Sequence, residues 1–352
     1  MAVISCSGGN RAQALLERLR SASQEGKILY GHQDDLVYGH SWKVEDWQND
    51  TLGRSDVRDV CGAFPAVVGF DLGGIELGDS CNLDAVPFGL MRKAVLTHVE
   101  RGGIVTFSWH PRNPVTGGDS WDTSTPGIPA AILPGGAEHA TFMTWLERLG
   151  DFLAGLDGTP VVFRPWHENL GGWFWWGTKC CTADEYKALF VMTYDYLVGE
   201  RRLDNLLWCY SPNGDASPEA FMGTYPGDEY IDIVGADMYE YAGAPDEDAD
   251  RDNFSGSGFK ERLDTLLAFL RQVSDERGKV AALTETGLEA LPNPTWWTET
   301  LYPALESSNV AYVLTWRNAH DRPSHFYAPW AGFEHSADFV KFTEFEKIVV
   351  LK

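Results

Sequence analysis

A chain of 352 residues with 44% hydrophobic content holds enough apolar material for one barrel-sized domain or two ordinary ones. Its formal net charge of −23 argues against nucleic acid or an anionic membrane surface as a partner and suits a neutral ligand. Aromatic residues reach 13%, with 14 Trp, and no apolar run approaches the roughly 18 residues that a membrane span needs.

The first ten residues, MAVISCSGGN, are too short for the apolar core of a signal peptide and are expected to be the remnant of a leader or a tag. Cys6 there leaves a lipoprotein-type junction open. Residues 11–352 are read as one folded unit. Arg11–Arg20 carries Ala12, Leu15, Leu16 and Leu19 at helical spacing. Lys27–Tyr30 is a short apolar strand that runs into GHQDDLVYGHSW, so His32, Gln33, Asp34 and Asp35 stand just past its end. They are candidates for contacts with ligand hydroxyls, the alternative being a solvated polar loop. Pro65–Asp71 is the second apolar run, followed by a Gly-rich loop and a helix over Val86–Glu100. Gly102–Trp109 is the third, closing on His110 and Pro111, with a Pro-, Gly- and Thr-rich loop to about Pro134. A helix over Phe142–Leu156 leads to the fourth run, Thr159–Pro165.

Thr182, with Glu185 three residues on, reads as the N-cap of a helix over Ala183–Val198. Asn205–Tyr210 and Ile231–Asp237 are the fifth and sixth runs, the latter closing on Met238 and Tyr239. Tyr241–Gly258 is acidic and Gly-rich and reads as an exposed loop. Phe259–Val273 is helical, with Leu263, Leu266, Leu267 and Leu270 on one face. Lys279–Leu283 is the seventh run, closing on Thr284, Glu285 and Thr286. Trp297–Leu305 is weakly helical. Val310–Thr315 is the eighth, closing on Trp316, Arg317 and Asn318, and a last helix carries Phe339, Phe342 and Phe345.

Eight apolar runs without period-two alternation imply strands buried on both faces, as in a parallel sheet. Strand and helix repeated eight times imply a single (β/α)₈ barrel of the α/β class. A doubly wound open sheet loses because no GxGxxG follows the first strand and polar residues collect after nearly every strand. A barrel gathers those strand ends on one face.

The six cysteines show no CxxC or paired-His zinc spacing. Cys209 is read as a free core thiol. Cys61 with Cys81, and one of Cys180 or Cys181, are disulfide candidates. His32, His40, His320 and His325 make no metal set, and Asp246–Asp252 lacks the calcium-loop pattern and reads as a solvated face. No metal and no cofactor is expected.

The fourth run ends unlike a structural strand. VVFRPWHENLGGWFWW, residues 161–176, sets Arg164, His167 and Glu168 at the mouth of an apolar segment beside Trp166, Trp173, Trp175 and Trp176. Apolar walls raise a carboxyl pKa, and flat aromatic faces stack on sugar rings. The structural alternative pairs Glu168 with Arg164 over an ordinary tryptophan core. Glu285, far away in the chain, would face Glu168 across a barrel opening. Retaining glycosidases need two carboxyl groups about 5–5.5 Å apart, one a proton donor and the other a nucleophile. The tryptophan surroundings suit Glu168 as the acid. Glu285, flanked by threonines with Arg317 and Tyr239 in reach, suits the ionised nucleophile; a core ion pair with Arg317 is its alternative. His110 is read as a ligand contact. Trp42, Trp47, Trp121 and Trp330 are either sugar platforms or packing under loops.

RPWHEN…GGWFWW, with GHQDD and SWHP upstream and LTETG and TWRN downstream, resembles glycoside hydrolase family 26, the β-mannanases with catalytic glutamates on barrel strands four and seven. The likeness covers nearly the whole chain. It implies that Glu168 is the acid/base and Glu285 the nucleophile, with His167 positioning the acid. It implies that His110 and Trp173 line the subsites at the cleavage point, that Tyr239 contacts the nucleophile, and that Trp316 and Arg317 floor the cleft. Asp34, Asp35 and Arg164 complete the expected binding set. The GHQDD loop resembles members that release mannobiose from chain ends, which leaves endo and exo cleavage both open. The expected activity is retaining hydrolysis of β-1,4-mannosidic bonds in mannan. The alternatives are another β-glycan, such as β-1,3-xylan or mixed-linkage glucan, and a non-catalytic carbohydrate-binding barrel. A monomer in a secreted or extracytoplasmic setting is expected, with no nucleic-acid partner.

Overall fold

Each of the eight apolar runs forms a strand in a computed structural model that describes residues 11–240 and 258–352. The leader segment with Cys6 and the acidic Asp246–Asp252 run lie outside the described residues. The strands are β1 (Ile28–Gln33), β2 (Val67–Asp71), β3 (Ile104–Trp109), β4 (Val161–Pro165), β5 (Leu206–Tyr210), β6 (Ile233–Glu240), β7 (Val280–Leu288) and β8 (Tyr312–Thr315). Each pairs in parallel with the next, and β1 pairs with β8 through Leu29↔Tyr312 to His32↔Thr315, so the sheet closes. The expected (β/α)₈ barrel is the observed fold.

The lack of alternation has a direct cause. Successive residues of each strand enter two different apolar cores. Leu29, Val67, Ile104, Val162, Leu207, Ile233, Val280 and Leu314 fill the barrel interior. Their neighbours Tyr30, Val68, Val105, Phe163, Trp208, Val234, Ala281 and Val313 join the core between sheet and helices. Leu15, Leu16 and Leu19 of the helix Gln13–Gln24 pack on the inner cluster and close the N-terminal end of the barrel. The opposite end stays polar, which leaves one face for chemistry.

The predicted cap at Thr182 forms a reciprocal box: Thr182 Oγ1 accepts from Glu185 N at 3.3 Å, and Thr182 N donates to Glu185 Oε2 at 2.8 Å. The chain end differs from expectation. The helix Ser336–Glu344 is followed by a strand, Ile348–Leu351, that pairs with β1 in parallel and with Phe64–Pro65 in antiparallel fashion. Its IVVL sequence is β-branched and favours extended backbone.

Neither disulfide expectation holds. Cys61, Cys81, Cys180, Cys181 and Cys209 are free thiols. Cys61 ends the helix before β2, whereas Cys81 lies in the loop after it, so the strand separates them. Cys209 is buried in the barrel interior, as read. No helix among the described residues is long and apolar enough to cross a membrane.

Candidate active site

Alternation along β4 decides where Arg164 points. Val162 faces the barrel interior, so Arg164, two residues on, faces it too, one layer nearer the polar end. There the buried guanidinium donates from Nη1 to Asp237 Oδ2 at 2.7 Å and to Ser211 Oγ at 3.1 Å. From Nη2 it donates to Glu285 Oε1. Burial alone would lower the Arg164 pKa, but the two carboxylates outweigh it and hold the group charged. Arg164, expected at the ligand, is therefore an internal counter-ion.

Alternation along β7 would send Glu285 outward with Ala281 and Leu283. A bulge prevents this. The register of β7 slips between Leu283 and Glu285 against β6, and between Leu283 and Thr286 against β8. The extra residue re-aims Glu285 into the opening, a common use of bulges beside active sites. Thr284 fits at the slip because its side chain lies against Gly235 of β6; a Cβ there would stand 2.6 Å from Thr284 Cγ2. Thr284 Oγ1 donates to Asp237 Oδ1 at 2.5 Å, and Tyr239 OH donates to Glu285 Oε2 at 2.7 Å. The cation on Glu285 is thus Arg164, not Arg317 as expected.

Glu168 sits three residues past β4 on a strained turn. Trp166 (φ 58°) and Glu168 (φ 53°) both adopt left-handed backbone without being glycine. Such residues cost about 1–3 kcal/mol each and persist where the surroundings over-determine them. Here Tyr186 OH binds Trp166 O at 2.9 Å, Trp176 Nε1 binds His167 O at 2.7 Å, and Glu168 N binds Ser211 O at 2.9 Å. Trp166, Trp175 and Trp176 are fully buried and serve as this scaffold rather than as sugar platforms. Trp173 is 43% exposed and donates from Nε1 to Glu168 Oε2 at 2.7 Å.

Carboxylate oxygens of Glu168, Asp237 and Glu285 lie within 4.8 Å of one another. Burial and then the charge of Glu285 push the Glu168 pKa up to about 7. Glu285 instead receives a guanidinium and a phenol. Two carboxyl groups at close range thus stand in opposed environments, the condition for a separate acid and nucleophile. The three are also near enough to surround a cation. Five of their six oxygens, however, already accept from Arg164, Thr284, Tyr239 and Trp173. That donor set suits proton transfer and carboxylate nucleophilic chemistry on a neutral ligand better than it suits a metal.

His110, past β3, donates from Nδ1 to Asp71 Oδ2 at 2.6 Å, and its Nε2 lies 3.1 Å from His167 Nε2. Burial would lower the His110 pKa, but Asp71 raises it. Burial, Arg164 and His110 all push His167 well down. His167 is thus kept neutral, and a single N–H bridges the two Nε2 atoms while His110 Nδ1 faces Asp71. Trp121 lies parallel to the His110 ring, centroids 5.4 Å apart at 13°.

Toward β8, Arg317 pairs with Asp84 at 2.9 Å and donates to Tyr38 OH at 3.3 Å; Tyr38 in turn donates to Asp34 Oδ2 at 2.8 Å. Asp34 is buried, and burial and the charge of Asp84 raise its pKa. Trp316 is partly exposed just past β8. Asp35 departs from the expected hydroxyl contact. It is buried under the loop, where it accepts from Ser55 Oγ and from Asp56 N at 3.0 Å and meets His32 Nδ1 at 2.9 Å. The chain reading missed Asp71, Asp84, Asp237, Ser211 and Tyr38. Asp71 and Asp237 carried a usable signal, a lone carboxylate closing an apolar strand.

The sequence profile described as Glycosyl hydrolase family 26 matches residues 5–255. A mannan endo-1,4-β-mannosidase of Bifidobacterium adolescentis is 32% identical over 350 residues, covering 91% of this chain and 33% of its own length. A mannan endo-1,4-β-mannosidase of Bacillus subtilis is 28% identical over 279 residues, covering 74% of each. The solved structure of a family 26 β-mannanase from Bacteroides ovatus is similar with a TM-score of 0.89 and 41% identity, over 98% of this chain and 96% of that one. The chain therefore spans a third of the length of the Bifidobacterium relative and nearly all of the Bacteroides structure.

Proposed function

The chain belongs to glycosyl hydrolase family 26, and from that premise we propose that it cleaves β-1,4-mannosidic bonds in mannan and manno-oligosaccharides with retention of configuration. The observation that carries the reading is the close pair Glu168 and Glu285 in opposed environments. Relatives named as mannan endo-1,4-β-mannosidases support the substrate class.

In the first step a Glu285 oxygen attacks the anomeric carbon. Glu168 gives its proton to the departing glycosidic oxygen, so the C–O bond breaks and a glycosyl ester forms. Tyr239 and Arg164 hold Glu285 in the attacking position and receive its charge again when the ester opens. In the second step Glu168, now a carboxylate, takes a proton from water, whose oxygen attacks the same carbon and releases Glu285. Two inversions give net retention. A pKa near 7 lets Glu168 serve both steps near neutrality. His110, His167, Trp173 and Trp316 line the cleavage point in this reading, and Asp34 and Arg317 serve its glycone end. A polymeric substrate too large to enter a cell supports action outside the cytoplasm.

The test is a time course of products from mannohexaose, with cellohexaose as control and the anomer followed by NMR. Mixed mannobiose, mannotriose and mannotetraose mark endo cleavage. Mannobiose alone from the earliest points marks release from chain ends. Cleavage of cellohexaose alone overturns the substrate and keeps the mechanism. No cleavage of either sinks the mannanase reading and returns the choice to another β-glycan or a binding barrel.

A further inference from the structure

A cavity of about 240 Å³ lies behind the turn that carries Glu168. Asn169, the next residue, lines it, together with side chains of the loop and helix after β4 and of the short helix after β5, Pro218–Gly223. The Asn169 amide reaches toward the Tyr210 hydroxyl. Tyr210 belongs to the core between sheet and helices, not to the barrel interior. The cavity is therefore outside the barrel wall, on the opposite side of the acid turn from the opening. Its room comes from small residues. The two helices that border it contribute Ala183, Ala220 and Gly223 there, and larger side chains would fill it.

The lining has a definite chemistry. Among the described residues, no carboxylate and no cation lines it. Trp176 and Tyr186 supply aromatic wall, and Thr178, Thr182 and Thr224 supply hydroxyls. Asn169 is 2% exposed, and its Oδ1 accepts no hydrogen bond from the protein. A buried amide oxygen without a donor is costly, so it marks a place for a ligand hydroxyl. Aromatic wall, hydroxyls and an amide acceptor together suit a neutral polyhydroxylated ring. The volume falls below the roughly 300–1,000 Å³ of drug-sized pockets, which limits the occupant to about one ring.

Two of the lining residues also hold the acid turn. Tyr186 OH donates to Trp166 O at 2.9 Å, and Trp176 Nε1 donates to His167 O at 2.7 Å. Those carbonyls belong to the stretch in which Trp166 and Glu168 take left-handed backbone. A ligand packed on Tyr186 and Trp176 and bonded to Asn169 would brace that stretch from behind.

We propose that this cavity is a second ligand site, separate from the cleft, that takes a single neutral sugar ring and stiffens the acid turn when filled. The inference does not depend on which polymer the cleft cuts, because its readout is binding.

The probe is D-mannose, titrated into the full chain by calorimetry. Wild type should bind it with a Kd on the order of 1 mM, the strength of a few contacts. Ala220→Phe places a ring in the cavity from an exposed helix position and should weaken binding at least tenfold. Asn169→Ala should weaken it about tenfold by removing the acceptor. Thermal midpoints at the wild-type value would show that both variants are folded. Amide exchange at Glu168 and Gly171 should slow about tenfold at about nine times Kd, since opening of the turn must expel the ligand, and should not respond in Ala220→Phe. Equal mannose binding in wild type and Ala220→Phe would place the sugar in the cleft and overturn the proposal. So would no binding to wild type, or exchange at the turn that mannose leaves unchanged.

Discussion

Replacing Trp173 by Phe isolates one hydrogen bond on Glu168, the proposed acid. Trp173 Nε1 donates to Glu168 Oε2 at 2.7 Å, and a donor favours the ionised carboxylate, so this bond holds the Glu168 pKa down against burial. Removing it should raise a pKa that already stands at about 7. A hydrogen bond to a charged group contributes about 1.5–3 kcal/mol. Two facts reduce the differential. Trp173 is 43% exposed, so water replaces part of the bond, and a protonated carboxyl still accepts through its carbonyl oxygen. A third to a half of the bond remains as the difference between the two forms, which is about half to one pK unit. The Phe ring keeps the aromatic face. The assay is kcat/KM against pH on a manno-oligosaccharide, whose alcohol leaving group needs a proton. The alkaline limb reports Glu168 in the free enzyme. It should move to higher pH by that amount, with a smaller effect on an activated aryl glycoside. A limb that stays in place, or moves to lower pH, would refute the link between Trp173 and the acid.

The same electrostatics make other outcomes specific. Glu168→Gln should stabilise the fold at pH 8: the native pKa is raised from 4.5 to about 7, so the favourable contribution is present below about 4.5 and lost as pH rises through 7. Because Glu168 is partly open to solvent, the gain should be about 1–2 kcal/mol, read as a higher denaturant midpoint than wild type at pH 8 and none at pH 4. Arg164→Met should destabilise by about 3–5 kcal/mol by leaving Asp237 and Glu285 buried without a counter-ion; urea unfolding that matches wild type would contradict the buried network. Tyr239→Phe should lower kcat about 10–100-fold by removing a donor to Glu285, with little change in stability, and an unaltered kcat would remove Tyr239 from the machinery. His98 is buried with its pKa lowered by burial to about 4 from 6.5. Its contribution is full above 6.5 and is lost as pH falls toward 4, so His98→Leu should flatten the decline in thermal midpoint over that window.

The fold was legible because burial leaves a plain mark. Strands such as Val161–Phe163 and Leu206–Tyr210 serve two cores at once, so they read as unbroken apolar runs. Glu168 and Glu285 stood out because a carboxylate at the end of such a run needs a reason. What failed was partner choice. Arg317 was the nearer cation to Glu285 in sequence, but the partner is Arg164, which shares the barrel interior with it. The slip at Thr284 that aims Glu285 has no local sequence signal, since it shows only when β7 is set against β6 and β8. The tryptophans of 166–176 misled for a related reason. Composition cannot separate the three that support a strained turn from the one that faces the opening. Asp35 looked like its neighbour Asp34, yet the two point to different places because Asp34 takes a left-handed turn (φ 58°).

Charge arithmetic supports the proposed division of roles between Glu168 and Glu285. Glu168, Asp237 and Glu285 crowd within 4.8 Å, with one guanidinium among them. If all three were ionised, Arg164 would leave two negative charges uncompensated in a partly dry site, so near neutrality one proton stays in the cluster. Its place is set by competition for donors. Asp237 holds Arg164, Ser211-anchored, and Thr284; Glu285 holds Arg164 and Tyr239; Glu168 holds a single indole N–H that borders solvent. Burial pushes the Asp237 carboxyl well up too, but its donors favour its ionised form, so in the proposed mechanism the proton is assigned to Glu168, whose pKa stands at about 7. In the proposed first step Glu285 becomes an ester and its charge disappears. The repulsion that raised the Glu168 pKa disappears with it, just as Glu168 has given up its proton. On this proposal the Glu168 carboxylate is then stable enough to draw a proton from water, so the same side chain serves as acid and then as base.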